Sequence, residues 1–170
     1  MESESARMSS AEEAKFRIDR PNSQARAIKV IALDAPSECV VKDLAQSPWQ
    51  RASFLTATAF SGAPKKGERF SMNGWLNDLA GRTKNLVDEV NSADLVVMVA
   101  TAGENAAAAA IIGEACSIKY VMTTALILGG ATSSDEVLSK MLAQLRPHAM
   151  MLVISSADEY IKDMLTALRA

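Results

Sequence analysis

The chain has 170 residues, 49% of them hydrophobic and 22% charged, with a formal net charge of −2. That length suits one domain able to bury roughly 70% of its unfolded surface, and the composition excludes a disordered chain, a collagen-like repeat and a disulfide scaffold. A charge so close to zero argues against a protein built to coat nucleic acid or an anionic membrane, so neither is expected as a partner.

Residues Met1–Arg26 are rich in Ser, Glu and Arg, with five acidic and five basic side chains, and read as a polar, mobile tail. Within it, Ser10-Ala11-Glu12-Glu13 fits a capping box that would open a short helix over Ala11–Ile18. No apolar core of a secretory leader is visible in the first 27 residues, and the longest nearly apolar run, Tyr120–Ala131, is too short to span a membrane. Cys39 and Cys116 lie far apart with no metal-ligand spacing, which fits reduced thiols in a cytoplasmic protein and no metal site.

The body, 27–170, alternates apolar runs with segments of helical period. Ala27–Leu33 is short and β-branched, and Asp34-Ala35-Pro36 stops it; Ser37 is then the expected N-cap of a helix carrying Val40, Val41 and Leu44. Ser53–Phe60 reads as a second strand, closed by Ser61-Gly62-Ala63-Pro64. Leu76, Leu79, Ala80, Thr83, Leu86, Val87 and Val90 fall on one stripe and predict a helix. Leu95–Ala100 is apolar throughout, as a central parallel strand is, and a helix over Asn105–Ser117 and a strand over Val121–Leu128 follow.

A second capping box, Ser133-Ser134-Asp135-Glu136, opens a helix with Val137, Leu138, Met141, Leu142 and Leu145 inward, ended by Pro147. Met150–Ile154 is the fifth strand, and Ser156 with Glu159 caps a last helix burying Ile161, Met164, Leu165 and Leu168. The expected fold is α/β: a three-layer, doubly wound, mostly parallel five-stranded sheet of Rossmann-like type in one domain.

In such a sheet, ligands sit beyond the carboxyl ends of the strands, where strand order reverses. With the first strand central, the crevice lies between it and the third, and Asp34, Ser37, Thr101, Gly103, Glu104 and Asn105 face one another. Thr132 and Ser133 supply further donors. Lys65, Lys66 and Arg69, in the long loop Ser61–Gly74, read either as contacts for an anion or as a solvated charge cluster. Phe70 and Trp75 would pin the end of that loop.

The only histidine, His148, falls at the opposite, amino end of the sheet, so no Ser–His or Cys–His nucleophile pair can form within the chain. Cys39 and Cys116 both read as buried structural thiols. Thr101-Ala102-Gly103-Glu104-Asn105 could hold phosphate at a helix start, although Glu104 would set a carboxylate beside the anion. The alanines Ala106–Ala110 let that helix approach its sheet closely, or offer a bare surface for packing.

Ile28-Lys29-Val30-Ile31, then Ser92-Ala93-Asp94-Leu95-Val96-Val97 followed by Thr101-Ala102-Gly103, resemble the first strand and the phosphate-loop entry of the tubulin and FtsZ GTPase family. The resemblance extends over Ile28–Leu165 and implies a nucleotide-type crevice. Both glycine-rich loops of that family are degenerate here: the first is Leu33-Asp34-Ala35-Pro36-Ser37-Glu38, the second Glu104-Asn105 followed by alanines, whose Cβ atoms stand where phosphate would approach. A working polymerising GTPase is not expected.

Three functions stand, in this order. The first is a non-catalytic domain acting by association, as a homo-oligomer or with a protein partner. The second is a binder of a small anionic ligand or nucleotide at the crevice. The third is an enzyme using Asp34 and Glu104 as acid and base or around Mg²⁺. No motif names a cofactor.

Overall fold

The computed structural model describes residues 25–58, 75–155 and 159–170. The Ser10–Glu13 capping box, the Ser61–Gly74 loop with Lys65, Lys66, Arg69 and Phe70, and Ser156 therefore lie outside the described residues.

Alternating burial builds the centre of the molecule. β1 (Ile28–Ala32) is buried along its whole length, with Ile31 in one apolar cluster and Ile28, Val30 and Ala32 in the other. β5 (Leu95–Thr101) and β6 (Met122–Leu128) divide their side chains between the same two clusters, as the two-residue period of a strand requires. β2 (Ala52–Thr56) pairs parallel with β1, and β7 (Met151–Ser155) pairs parallel with β6. Two further strands, β3 (Trp75–Asp78) and β4 (Thr83–Asn85), add an antiparallel hairpin beside β2. The sheet thus has seven strands in the order β4-β3-β2-β1-β5-β6-β7.

Helices flank it. α1 (Ala35–Leu44) and α5 (Glu159–Ala167) contribute Val41, Leu44, Ile161, Met164 and Leu165 to one cluster. α2 (Leu86–Asn91), α3 (Ala108–Lys119) and α4 (Asp135–Leu145) contribute to the other through Leu86, Val90, Ile112, Met141 and Leu145. The alanines at the start of α3 take their place in this packing: Ala106, Ala108 and Ala109 are buried. Leu168 packs half-buried rather than enclosed.

The five parallel strands stand in the expected sequence order, but the total is seven because the Leu76–Val90 stripe is not one helix. Local turn chemistry overrides it. Asp78 Oδ1 accepts from the backbone N–H groups of Ala80 and Arg82, and Oδ2 accepts from Arg82 Nε at 2.8 Å. Gly81 takes φ +79°, which suits a residue without Cβ, and Asn85 Oδ1 accepts from Val87 N to start α2. These contacts hold the Asp78 carboxyl below its ordinary range, first through the Arg82 backbone N–H. Leu76, Leu86 and Val90 are buried nonetheless, from a strand and a helix rather than from one stripe.

Several boundaries shift for similar reasons. α1 is capped by Asp34, not Ser37; Ser37 is its third residue, and its hydroxyl accepts from Asp34 N in return. β2 ends at Thr56. α3 starts at Ala108, after a turn in which Asn105 Oδ1 accepts from Ala107 N. Ser134, rather than Ser133, caps α4 by accepting from Val137 N.

A 3-10 turn over Arg146–His148 joins α4 to β7 and presses on α3 at Gly113. A Cβ at Gly113 would stand 2.5 Å from the Cβ of His148. Gly113→Ala is therefore expected to lower stability by about 1–3 kcal/mol, although alanine is the better helix former by about 1 kcal/mol. Denaturant unfolding checks this, and His148→Gly in the same background restores much of the loss.

Candidate functional site

The reversal of strand order falls between β1 and β5, the switch point beside which a doubly wound sheet binds its ligands. Asp34 closes the end of β1 and Thr101 closes β5. Asp34 Oδ1 accepts from Ser37 N at 2.8 Å and from the Thr101 hydroxyl at 2.9 Å, while Oδ2 accepts from Thr101 N at 2.7 Å. The Ser37 hydroxyl also donates to Asp34 O. Asp34 and Ser37 are buried, and the carboxylate caps a helix and ties two adjacent strands together at once. It is a latch across the crevice rather than a group aimed into it.

Beside it, a second latch escaped the sequence. Glu38, on α1, accepts from the hydroxyls of Thr56 and Thr58 at 3.0 Å each and pairs with Lys42 at 2.7 Å. Lys42 and the two threonines hold its carboxyl below the ordinary 4.5 against the opposing effect of burial, and Glu38 in turn raises Lys42. The Glu38–Lys42 spacing of four residues was visible in the sequence; the partners on β2 required the tertiary fold. Lys29 was equally hidden: from the middle of β1 it reaches Glu89 of α2 at 2.8 Å.

The other predicted residues do not converge on Asp34. Gly103 turns the chain at φ +93°, and Glu104 donates its N–H to Thr101 O. Gly103 and Glu104 instead line a cavity of about 310 Å³ against α4, with Val137, Lys140, Met141 and Gln144. Asn105 is spent on the turn before α3. Thr132 and Ser133 both donate their hydroxyls to Gly129 O, at 3.1 and 3.0 Å. Among the described residues, no three metal-ligating groups come together.

The thiols differ from expectation in one case. Cys39 is exposed, because Ser37, Val41 and Leu44 take the inward face of α1 and Cys39 falls between them. Cys116 is buried, and burial pushes its thiol up to about 12, which leaves it protonated and unreactive.

At the amino end of the sheet the surface has another character. A groove of about 410 Å³ runs between α3 and the start of β7, lined by Tyr120, Met122, Pro147, His148 and Met150 among others. Tyr120 is 95% exposed and Met150 78%, with Ile118, Met122 and Met151 about half exposed nearby in sequence and fold. Tyr120 also takes the left-handed conformation that ends α3, a place that favours glycine. No protein-family model matches the sequence, and no curated protein does either.

The latch has measurable weight. Asp34→Ala removes three accepted hydrogen bonds and a helix cap, and is expected to cost about 3 kcal/mol in denaturant unfolding; Thr101→Val should cost about 1–2 kcal/mol. The double variant should lose less than the sum, since both remove the bond from the Thr101 hydroxyl to Asp34. For Glu38, whose folded pKa is depressed, the stabilisation is present above the unfolded carboxylate value and is lost as pH falls through the folded one. The stability gap between the wild type and Glu38→Gln should therefore be full near neutrality and close with acidification below the ordinary 4.5.

Proposed function

We propose that this chain is a non-catalytic α/β domain acting by association, as a subunit, adaptor or regulator. The observation that carries the reading is a contrast between the two ends of the sheet. At the carboxyl end, where doubly wound folds bind ligands, Asp34 is consumed by Ser37 and Thr101, and the Thr132 and Ser133 hydroxyls by Gly129. At the amino end, Tyr120, Met122 and Met150 stand exposed along one groove, the kind of apolar surface that marks an interaction site.

The layered part of the reading is a three-layer, doubly wound sheet of Rossmann-like type. Its support is the sharing of one apolar cluster by α1 and α5 and of the other by α2, α3 and α4. The likeness to the tubulin and FtsZ family belongs to the same proposal, as a kinship of architecture with a degenerate nucleotide crevice. Its support is the pair of junctions after β1 and β5, at Leu33–Glu38 and Thr101–Asn105.

A second reading has one observation in its favour. The cavity beside Gly103 could admit a small anionic ligand, with Lys140 on its wall. Two facts weigh against it: Lys140 already pairs with Glu136, and Glu104 lines the same cavity. An enzyme built on Asp34 and Glu104 has less support still, since the first carboxylate already accepts three hydrogen bonds.

Thermal melting against nucleotides, phosphorylated metabolites and Mg²⁺ separates these readings. Association predicts no change in Tm with any of them. A bound ligand at 100 times Kd would add about 2.7 kcal/mol, a rise that is easily read. Such a rise, altered by Glu104→Gln or Lys140→Met, would overturn the association reading.

A further inference from the structure

The described residues begin at the amino end of the sheet, beside the exposed groove. Ala25 O accepts from Arg51 Nη1 at 3.0 Å and Arg26 N donates to Arg169 O at 2.9 Å, which fixes where residues 1–24 join the body. Arg26 lines a cavity of about 500 Å³ together with Asp94, Lys119, Tyr120 and Met122. Tyr120, Val121 and Met122 line the 410 Å³ groove as well, so a continuous track leads from that point of entry to Met150.

The track has a definite chemistry. Arg26 and Lys119 give it positive charge, and among the described residues neither pairs with a carboxylate. Asp94, the one carboxylate on its wall, already accepts from Ala27 N at 2.7 Å. Tyr120, Met122, Pro147 and Met150 supply apolar surface. An occupant suited to it carries carboxylates and a few apolar anchors. The start of this chain carries both. Its first fourteen residues hold Glu2, Glu4, Glu12 and Glu13 against a single Arg7, and Met8, Phe16 and Ile18 follow among polar neighbours.

We propose, building on the association reading, that the chain's own segment Glu2–Ile18 occupies this track, with Glu12 and Glu13 against Lys119 and with Phe16 and Ile18 against Tyr120, Met122 and Met150. The arm is then the first occupant of the association surface, and a protein partner gains the groove by displacing it.

The reach suffices. β7 stands three strands from β1, so at about 4.8 Å per strand its start lies roughly 15 Å across the sheet from the point of entry. The seven residues from Ile18 to Ala25 span up to about 23 Å when extended. So short a tether also sets the strength. It holds the arm at an effective concentration on the order of 1 mM, so an intrinsic Kd of about 100 µM keeps the groove covered about nine-tenths of the time. A contact too weak to hold a separate molecule is enough in the same chain.

Methionine oxidation by hydrogen peroxide, read by mass spectrometry on the full chain, tests this. Met150 is 78% exposed, so with the groove open it oxidises as fast as free methionine, and with the arm in place about tenfold more slowly. Phe16→Asp with Ile18→Asp should restore the free rate. Lys119→Glu should raise the rate several-fold, and Glu12→Lys with Glu13→Lys in that background should bring the protection back. Met98 and Met141, both buried, should stay protected in every variant, the sign that the body remains folded. Protection within one chain is the same at about 1 and about 100 µM. Met150 oxidising at the free rate in the wild type overturns the proposal. So does protection that fades on dilution, which a second copy would give, and so does protection indifferent to Phe16→Asp with Ile18→Asp. Each of these leaves association itself standing, whose own failure has a separate signature, the ligand-induced rise in Tm.

Discussion

The fold turns on one carboxylate. Asp34 sits where the central strand leaves the sheet, and three demands meet there. The first turn of α1 has orphan N–H groups, the end of β5 must be held beside the end of β1, and a buried carboxylate needs partners. The same two oxygens meet all three, by accepting from Ser37 N, Thr101 N and the Thr101 hydroxyl. Leu33 N donating to Val99 O continues the β1–β5 pairing up to that point, so the switch point is closed by backbone and side chain together.

That closure decides what the crevice can do. A phosphate site at a strand–helix junction depends on N–H groups left pointing at the ligand and on backbone that can approach it closely. Here the N–H groups of Ser37 and Thr101 point at Asp34, and a negative group occupies the space an anion would need. Glu38 repeats the arrangement one strand over, gathering the Thr56 and Thr58 hydroxyls. The carboxyl ends of β1 and β2 are thereby organised for rigidity, with Asp34 and Glu38 turned onto nearby backbone and hydroxyls.

Much of this was legible in the sequence, and the parts that were not share a cause. The parallel strands announce themselves as short β-branched runs, and their order follows once Leu95–Ala100 is read as buried on both faces. The crevice position follows from that order, so Asp34, Ser37 and Thr101 could be named together. The hairpin was hidden because Leu76, Leu86 and Val90 lie at helical spacing, while the residues that decide the matter, Asp78, Gly81 and Asn85, act through individual hydrogen bonds that no periodicity registers. Roles set by distant partners were equally invisible. Nothing near Lys29 in sequence points to Glu89, and nothing near Glu38 points to Thr56. Asp34 itself was legible as a site residue yet not as a latch, since the difference lies only in where Thr101 places its N–H and hydroxyl.

The same contrast between local pattern and tertiary context runs through the two edges. Nothing in the composition Met-Leu-Val-Ile marks a strand as an edge. Among the described residues, the topology puts it at the end of the sheet, beside β6. The hairpin changes the balance further. By adding β3 and β4 beyond β2, it places a short, lysine-bearing strand at the far edge and so covers what would otherwise have been the second long parallel edge. One edge is closed by an insertion and a charge. The other keeps interior chemistry at an exterior position, and the amino-end methionines and Tyr120 extend that apolar character around the corner of the sheet.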